Sequence, residues 1–161
     1  MTTSSLTHPR VPHPYVLLGA FLLVVIGVSA VIGISSAPGP WYQSLAKPPF
    51  NPPNWVFGPA WTILYVLIAV AGWRIWERDR GGRAMKAWWA QMFLNFAWSP
   101  VFFTLQSVGG ALVIVVLMLA AILAFIGLAW NRDRIAALLF VPYAAWVSFA
   151  TLLNASILWL N

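Results

Sequence analysis

The sequence predicts an all-α, polytopic membrane protein that folds as a single bundle of five transmembrane helices. Of its 161 residues, 61% are apolar and 7% are charged, and the mean hydropathy is +0.83. Soluble domains carry about 25% charged residues. Long apolar runs, each close to the roughly 20 residues that a helix needs to cross a bilayer, alternate with short charged or glycine-containing turns.

The five helices are predicted at about residues 15–35, 55–76, 84–105, 111–130 and 135–159, within one domain at 15–161. The first run exceeds the roughly 7–15 apolar residues of a signal peptide, so we interpret it as a retained helix. Pro59 falls in the first turn of the second helix, where a missing N–H is tolerated. Pro100 is expected to kink the third helix, and Pro142 lies inside the fifth. Residues 1–14 are polar and are predicted to form a disordered cytoplasmic tail.

The connection at residues 36–54 is rich in proline and tryptophan. Proline fixes φ and lacks an N–H, so a stretch that contains Pro48, Pro49, Pro52 and Pro53 is stiff and non-helical. Lys47 is its one charge. Two interpretations remain open for this loop: a lid over a pocket, or a turn with interfacial tryptophan anchors.

The basic residues predict the orientation. With five helices, eight of the nine Lys and Arg residues fall on the side of the N-terminus, and Lys47 alone falls on the other. The positive-inside rule then places the N-terminus in the cytoplasm and the Pro/Trp loop outside. Helical bundles usually occupy an inner membrane, which we favour, although an outer membrane stays open. Because the basic residues only flank apolar runs and no nucleic-acid-binding signature is present, we expect no nucleic-acid partner.

Ionisable groups are missing from the helix interiors. The three acids are Glu77, Asp79 and Asp133, all in predicted turns, and the chain has no cysteine. Proton-coupled transporters place ionisable groups within the membrane. Ion-coupled transport, a metal site and conventional acid–base catalysis are therefore disfavoured, and a binding role is favoured over an enzymatic one.

Three helices carry aromatic, amide and small residues at helical spacing, which places each set on one face. These sets are Trp61 and Tyr65; Gln91, Asn95 and Trp98; and Tyr143, Trp146, Ala150 and Asn154. One interpretation is that the amides are packing contacts between helices and the tryptophans are interfacial belts. The other is a cavity for a flat, largely apolar ligand.

Three long motifs resemble the TspO/MBR family of translocator and tryptophan-rich sensory proteins, with a bacterial member as the expectation. They are Trp41-Tyr42 followed by Lys47 to Trp61 (KPPFNPPNWVFGPAW), Gln91 to Phe103 (QMFLNFAWSPVFF) and Val141 to Asn154 (VPYAAWVSFATLLN). The resemblance implies a five-helix bundle, commonly a homodimer, whose pocket opens under the first loop. It implies a ligand-binding set of Tyr42, Trp61, Tyr65, Gln91, Asn95, Trp98, Tyr143, Trp146, Val147 and Ala150.

The same resemblance implies that the pocket binds porphyrins, such as protoporphyrin IX or haem, and sterols or other flat lipophiles, with a role in transport, sensing or stress regulation. Porphyrin would be a ligand and no obligatory cofactor. Light-driven degradation of porphyrin is an alternative, in which Trp61 and Trp146 would be the catalytic residues. A scaffold that acts through protein partners is a second alternative. Residues 152–161 lack a Tyr followed by a basic residue, so sterol recognition through the family's C-terminal motif is not expected.

Overall fold

The computed structural model describes residues 14–161, so the predicted disordered tail lies outside the described residues except for Pro14, which begins the first helix. The described chain contains helices and connecting loops and no strand. Its α-helices are α1 (Pro14–Ser35), α2 (Pro40–Ser44), α3 (Phe57–Asp79), α4 (Arg83–Ser99), α5 (Val108–Trp130), α6 (Arg134–Leu139) and α7 (Val141–Leu160). The all-helical class predicted from the sequence is therefore confirmed.

Four helical stretches in the described residues are long and apolar enough to cross a membrane: Tyr15–Ser35, Asn54–Asp79, Val108–Trp130 and Arg134–Leu160. Their outward faces carry exposed apolar side chains such as Leu23, Ile63, Val113 and Leu152, as expected of helices whose solvent is lipid. The predicted third helix corresponds to α4, which is shorter, with 17 residues. It continues without a gap into a π-helical segment, Pro100–Thr104.

The prolines act differently at each helix. Pro100, which was expected to kink the helix, begins a π-helical turn, and the Leu105 N–H donates to the Pro100 carbonyl at 2.9 Å. The predicted fifth helix is divided at Phe140 into α6 and α7. Pro142 is responsible for that division, because it has no N–H for the carbonyl four residues earlier and its ring crowds that carbonyl.

Other boundaries follow from local capping. The helix α5 begins at Val108 because the Ser107 hydroxyl accepts a hydrogen bond from the Gly110 N–H. A three-residue 3₁₀ turn, Asn54–Val56, leads into α3. The short helix α2 lies inside the Pro/Trp loop and starts at Pro40, in keeping with the preference of proline for the first position of a helix.

The helices form a ring in the order α1, α3, α7, α5, α4. The helix α1 packs on α3 and α4, α3 also packs on α4, α6 and α7, and α5 packs on α4, α6 and α7. The core inside this ring is filled by large buried side chains, among them Trp88, Met92, Phe125, Phe140 and Tyr143. Helices that are neighbours in the ring are therefore not always neighbours in the chain.

At the end of the bundle away from the Pro/Trp loop, Asp133 joins α3 to the start of α6. Its carboxylate accepts hydrogen bonds from Arg74 Nε at 2.8 Å and from the backbone N–H groups of Ile135 and Ala136, and Arg78 Nη1 lies 2.8 Å from Oδ2. Burial by itself raises the pKa of Asp133, but these hydrogen bonds and the two guanidinium charges outweigh it and lower the pKa. The ion pair therefore stabilises the fold at every pH above the unfolded-state pKa, and it is lost only as the pH falls through the lowered folded-state pKa.

A close approach between α3 and α4 yields a test of this packing. Trp88 is fully buried and its Nε1–H donates to the Ile68 carbonyl at 3.0 Å. A Cβ on Gly72 would overlap the Trp88 indole at Cε2, Nε1 and Cζ2. Gly72→Ala should therefore displace the indole and lower the free energy of unfolding by about 1–3 kcal/mol, measured by thermal denaturation in detergent.

Gly27→Ala in α1 is the matched control, because no atom lies within 4 Å of the added Cβ. Its melting temperature should be unchanged or slightly higher, since alanine is the better helix former. Equal stability of the Gly72→Ala and Gly27→Ala variants would contradict the packing described for Trp88.

Candidate functional site

A cavity of about 490 Å³ lies inside the bundle under the Pro/Trp loop. Its walls come from α1, α3, α4, α5 and α7, and Pro38, Tyr42 and Asn54 of the loop lie at its mouth. Every side chain that lines it in the described part of the chain is uncharged. The volume is in the range of sites that enclose small organic ligands, and the apolar lining with a few polar groups is typical of them.

The mouth is built by the short helix α2 and the π-helical turn. Tyr42 packs edge-on against Phe102 and Phe103, with ring centroids 6.1 and 5.4 Å away, and Trp98 stacks on Phe102 at 5.1 Å. The consecutive residues Phe102 and Phe103 both reach the cavity, where the wider π turn occurs. Burial raises the pKa of the Tyr42 phenol, so that ring stays neutral. Lys47 Nζ lies 4.5 Å from the centroid of the Tyr42 ring.

Two tryptophans, Trp61 of α3 and Trp146 of α7, form aromatic parts of the cavity wall. Trp61 stacks on Tyr65, with centroids 5.3 Å apart and 27° between the ring planes. Trp146 packs edge-on against Phe57 at 5.9 Å. Its indole Nε1 is buried and has no hydrogen-bond partner in the described residues. Both indoles line the cavity.

A hydrogen-bond network lies behind the walls. The Tyr143 hydroxyl donates to Gln91 Oε1 at 2.9 Å and accepts from Asn95 Nδ2 at 2.9 Å. Asn95 Oδ1 in turn accepts from the Tyr65 hydroxyl at 3.4 Å. The side chains of α3, α4 and α7 are thus joined at the inner end of the cavity.

A second amide supports the wall nearer the mouth. Asn154 Oδ1 accepts from Trp98 Nε1 at 3.2 Å, and Asn154 Nδ2 donates to the Val108 carbonyl at 2.9 Å. The amide therefore holds the Trp98 indole and the first turn of α5 against α7. Asn95 and Asn154 therefore act both as contacts between helices and as parts of the cavity wall.

The structure brings most of the predicted site residues together. The cavity is lined by Tyr42, Trp61, Tyr65, Asn95, Trp98, Trp146 and Ala150. The other three predicted residues, Gln91, Tyr143 and Val147, are fully buried and lie behind the wall. They were predicted to contact the ligand, but they face the packed interior between α4, α5 and α7. Neighbouring residues form the cavity surface instead.

The first helix is one part of the wall that the sequence prediction missed. Ser29, Gly33 and Ser36 of α1 line the cavity. They recur at i, i+4 and i+7 in an otherwise apolar run, which places them on one helical face. That spacing of small and polar residues is a signal that the sequence contains. The contributions of Val115 and Met118 from α5 have no such signal, because that helix is apolar on every side.

Comparison with known proteins extends over nearly the whole chain. A profile of the TspO/MBR family matches residues 19–160. The chain is 35% identical over 148 residues to Protein CrtK of Rhodobacter capsulatus, covering 89% of this chain and 92% of that protein. It is 38% identical over 139 residues to the tryptophan-rich sensory protein of Cereibacter sphaeroides, covering 86% and 88%. It is 38% identical over 120 residues to the translocator protein of Homo sapiens, covering 71% and 70%.

The network behind the wall can be tested through its hydroxyl. Tyr143→Phe leaves Gln91 Oε1 and Asn95 Nδ2 without their partner, and both side chains are buried. The free energy of unfolding should fall by about 1–3 kcal/mol. Tyr65→Phe is the control, since it removes only one hydrogen bond of 3.4 Å, and its effect should be below about 1 kcal/mol. Thermal denaturation of both variants in one detergent makes the comparison, and a Tyr65→Phe effect as large as that of Tyr143→Phe would contradict it.

Proposed function

The chain belongs to the TspO/MBR family, and from that membership and its cavity we propose that it is a membrane receptor or transporter for flat, largely apolar molecules, porphyrins such as protoporphyrin IX or haem foremost. The observation that carries the proposal is the uncharged, aromatic cavity beneath the Pro/Trp loop. Sterols and other flat lipophiles fit the same lining. Relatives are named as a sensory protein and a translocator protein, and we propose a corresponding role in sensing or transport.

The aromatic walls suit a planar macrocycle. Trp61 and Tyr65 stack nearly parallel, and Trp98 stacks on Phe102, so several ring faces and edges line one space. Contacts between aromatic rings contribute about 0.5–1.5 kcal/mol each beyond the burial of their area. The few polar groups on the wall, such as Asn95, are placed to orient such a ligand.

We also propose that α4 crosses the membrane, which raises the number of spans from four to five. Asp133, after α5, lies beside Arg74 near the end of α3, so those two helix ends are on the same side of the bundle. The start of α5 is at the other side, because Val108 pairs with Asn154 of α7, and α7 ends beside the Pro/Trp loop, where Asn161 pairs with Ala46. The helix α4 and its π extension connect the far end of α3 to this start of α5.

That path supports the predicted orientation. The segment from Arg83 to Thr104 would cover about 30 Å, the thickness of a bilayer core. Arg74, Arg78, Arg80 and Arg83 then share one side with Arg132 and Arg134, opposite Lys47. By the positive-inside rule we propose that this side is cytoplasmic and that the Pro/Trp loop lies outside, in an inner membrane.

Porphyrin photo-oxidation is a second candidate activity. Trp61 and Trp146 both line the cavity, and an indole is readily oxidised when it lies against a photosensitiser. This chemistry needs no acid–base pair, so the uncharged lining is compatible with it. It would be a property of the bound complex and would not replace the binding function.

A titration with protoporphyrin IX, followed by quenching of tryptophan fluorescence in detergent, tests the binding proposal. The wild type should show saturable micromolar binding. Trp61→Phe and Asn95→Ala should each raise Kd about threefold to tenfold, as expected for the loss of one aromatic contact or one hydrogen bond. The chain has 11 tryptophans, so enough signal remains in Trp61→Phe. Trp159→Phe is the control, because this residue is 90% exposed and does not line the cavity. Non-saturable quenching that is the same in all variants would refute the proposal.

Irradiation of the saturated complex tests the second candidate. The porphyrin absorbance should be lost several times faster than for free porphyrin in the same detergent, and Trp61→Phe and Trp146→Phe should each slow the loss at equal occupancy. A rate equal to that of the free-porphyrin control would exclude the activity while leaving the binding proposal in place.

A further inference from the structure

The end of the bundle away from the Pro/Trp loop carries more positive charge than its ion pairs use. Residues 74–86 and 132–134 contain seven basic residues and all three acidic residues of the chain, which gives a net charge of +4. Asp133 pairs with two arginines of α3, and Arg132 Nη1 lies 3.7 Å from Asp79 Oδ2. These contacts join the end of α3 to the turn before α6, so the two segments form one surface.

Four basic residues of this surface pair with no carboxylate in the part of the chain that the structure describes. They are Arg80, Arg83, Lys86 and Arg134, and all four are exposed. Residues 1–13 contain no Asp or Glu that could serve as a partner. Because four cations at one end of the bundle lack a counter-charge, the surface attracts anions.

Two of these arginines lie over tryptophan rings. Arg80 Cζ is 5.7 Å from the centroid of the Trp76 ring, and Arg134 Cζ is 5.0 Å from that of Trp130. In each pair the tryptophan precedes the arginine by four residues, close to the end of a long apolar helix. Tryptophan is enriched at the depth of lipid headgroups. A guanidinium stacked on an indole keeps N–H groups for a phosphate, which arginine binds in a bidentate manner.

An exposed apolar face begins directly after Arg134. It consists of Ile135, Leu138 and Val141, which are exposed on α6 and at the start of α7. Their spacing is that of one helical face, and α6 leads from the basic surface into the bundle. A soluble anion at Arg134 would leave this face uncovered, whereas a phospholipid would cover it with an acyl chain.

We propose that this surface binds the headgroups of anionic phospholipids such as phosphatidylglycerol. Arg80 and Arg134 hold the phosphate groups, and the face from Ile135 to Val141 contacts an acyl chain. A zwitterionic headgroup also has a phosphate, but it brings its own cation among four that already lack a partner. Net attraction therefore requires a lipid with a net negative charge. The surface is at the opposite end of the bundle from the cavity, so the inference does not rest on the proposed function.

Native mass spectrometry of the full chain in detergent tests the site, by titration with phosphatidylglycerol and with phosphatidylcholine of the same acyl chains. The wild type should bind phosphatidylglycerol about 20-fold more tightly. Arg80→Gln and Arg134→Gln should each lower this preference about fivefold, the effect of one basic residue near an anionic lipid surface, and the double variant should bind both lipids about equally. The affinity for phosphatidylcholine should change less than about twofold, since its net charge is zero.

Lys47→Gln is the control variant, because it also removes one positive charge but at the Pro/Trp loop. It should keep the wild-type preference. Thermal denaturation should show that the two exposed arginines are not needed for folding. Excess inorganic phosphate should not displace phosphatidylglycerol, because free phosphate cannot cover the apolar face.

Three results would overturn the lipid site. A wild type without a preference for phosphatidylglycerol would leave the surface to an acidic protein partner. A preference that the double variant keeps, or that Lys47→Gln loses to the same degree, would show that these arginines do not form the site. Displacement by inorganic phosphate would assign the surface to a soluble anion. Each of these results leaves the porphyrin-binding proposal intact.

Discussion

The buried hydroxyl of Tyr143 is the interaction on which the shape of the cavity depends. It donates to Gln91 and accepts from Asn95, so a single O–H group joins α7 to α4 in both hydrogen-bonding directions. Asn95 then connects to Tyr65 of α3. In lipid there is no water to satisfy these groups if the helices move apart. The rear of the cavity is therefore held by directional hydrogen bonds. These bonds keep α3, α4 and α7 in place, so the cavity can stay open.

The two ends of the bundle are fixed by contacts of different kinds. At one end Asp133 is held by Arg74 and Arg78. At the other, the Asn161 side chain pairs with both the N–H and the carbonyl of Ala46, at 2.9 and 3.0 Å, and so attaches the Pro/Trp loop to α7. That attachment keeps Tyr42 over the cavity. A stiff loop, anchored at its middle, is a suitable cover for a site whose specificity depends on shape and on a few hydrogen bonds.

The prolines show where prediction from the sequence reaches its limit. Pro59, Pro100 and Pro142 each lack an N–H. Pro59 was expected in the first turn of the second helix and Pro100 was expected to kink the third, whereas Pro142 was placed inside the fifth. Their outcomes differ: Pro59 falls in the first turn of α3, Pro100 begins a π-helical segment, and Pro142 divides α6 from α7. The choice is made by packing, because the π turn brings Phe102 and Phe103 to the cavity, and the break buries Phe140 against Phe125 with centroids 4.0 Å apart.

The sequence by itself determined the membrane class, the helices, the aromatic and amide faces, and the family. These depend on local properties: the length of an apolar run, the chemistry of proline, and the 3.6-residue period that places residues on one face. The tertiary structure alone decided which members of each face reach the cavity. Gln91 and Asn95 are one turn apart on α4, yet Asn95 is on the wall and Gln91 is sealed behind it. The rotation and depth of a helix are set by the helices around it, and α1 acquired its part in the site only by packing beside α3 and α4.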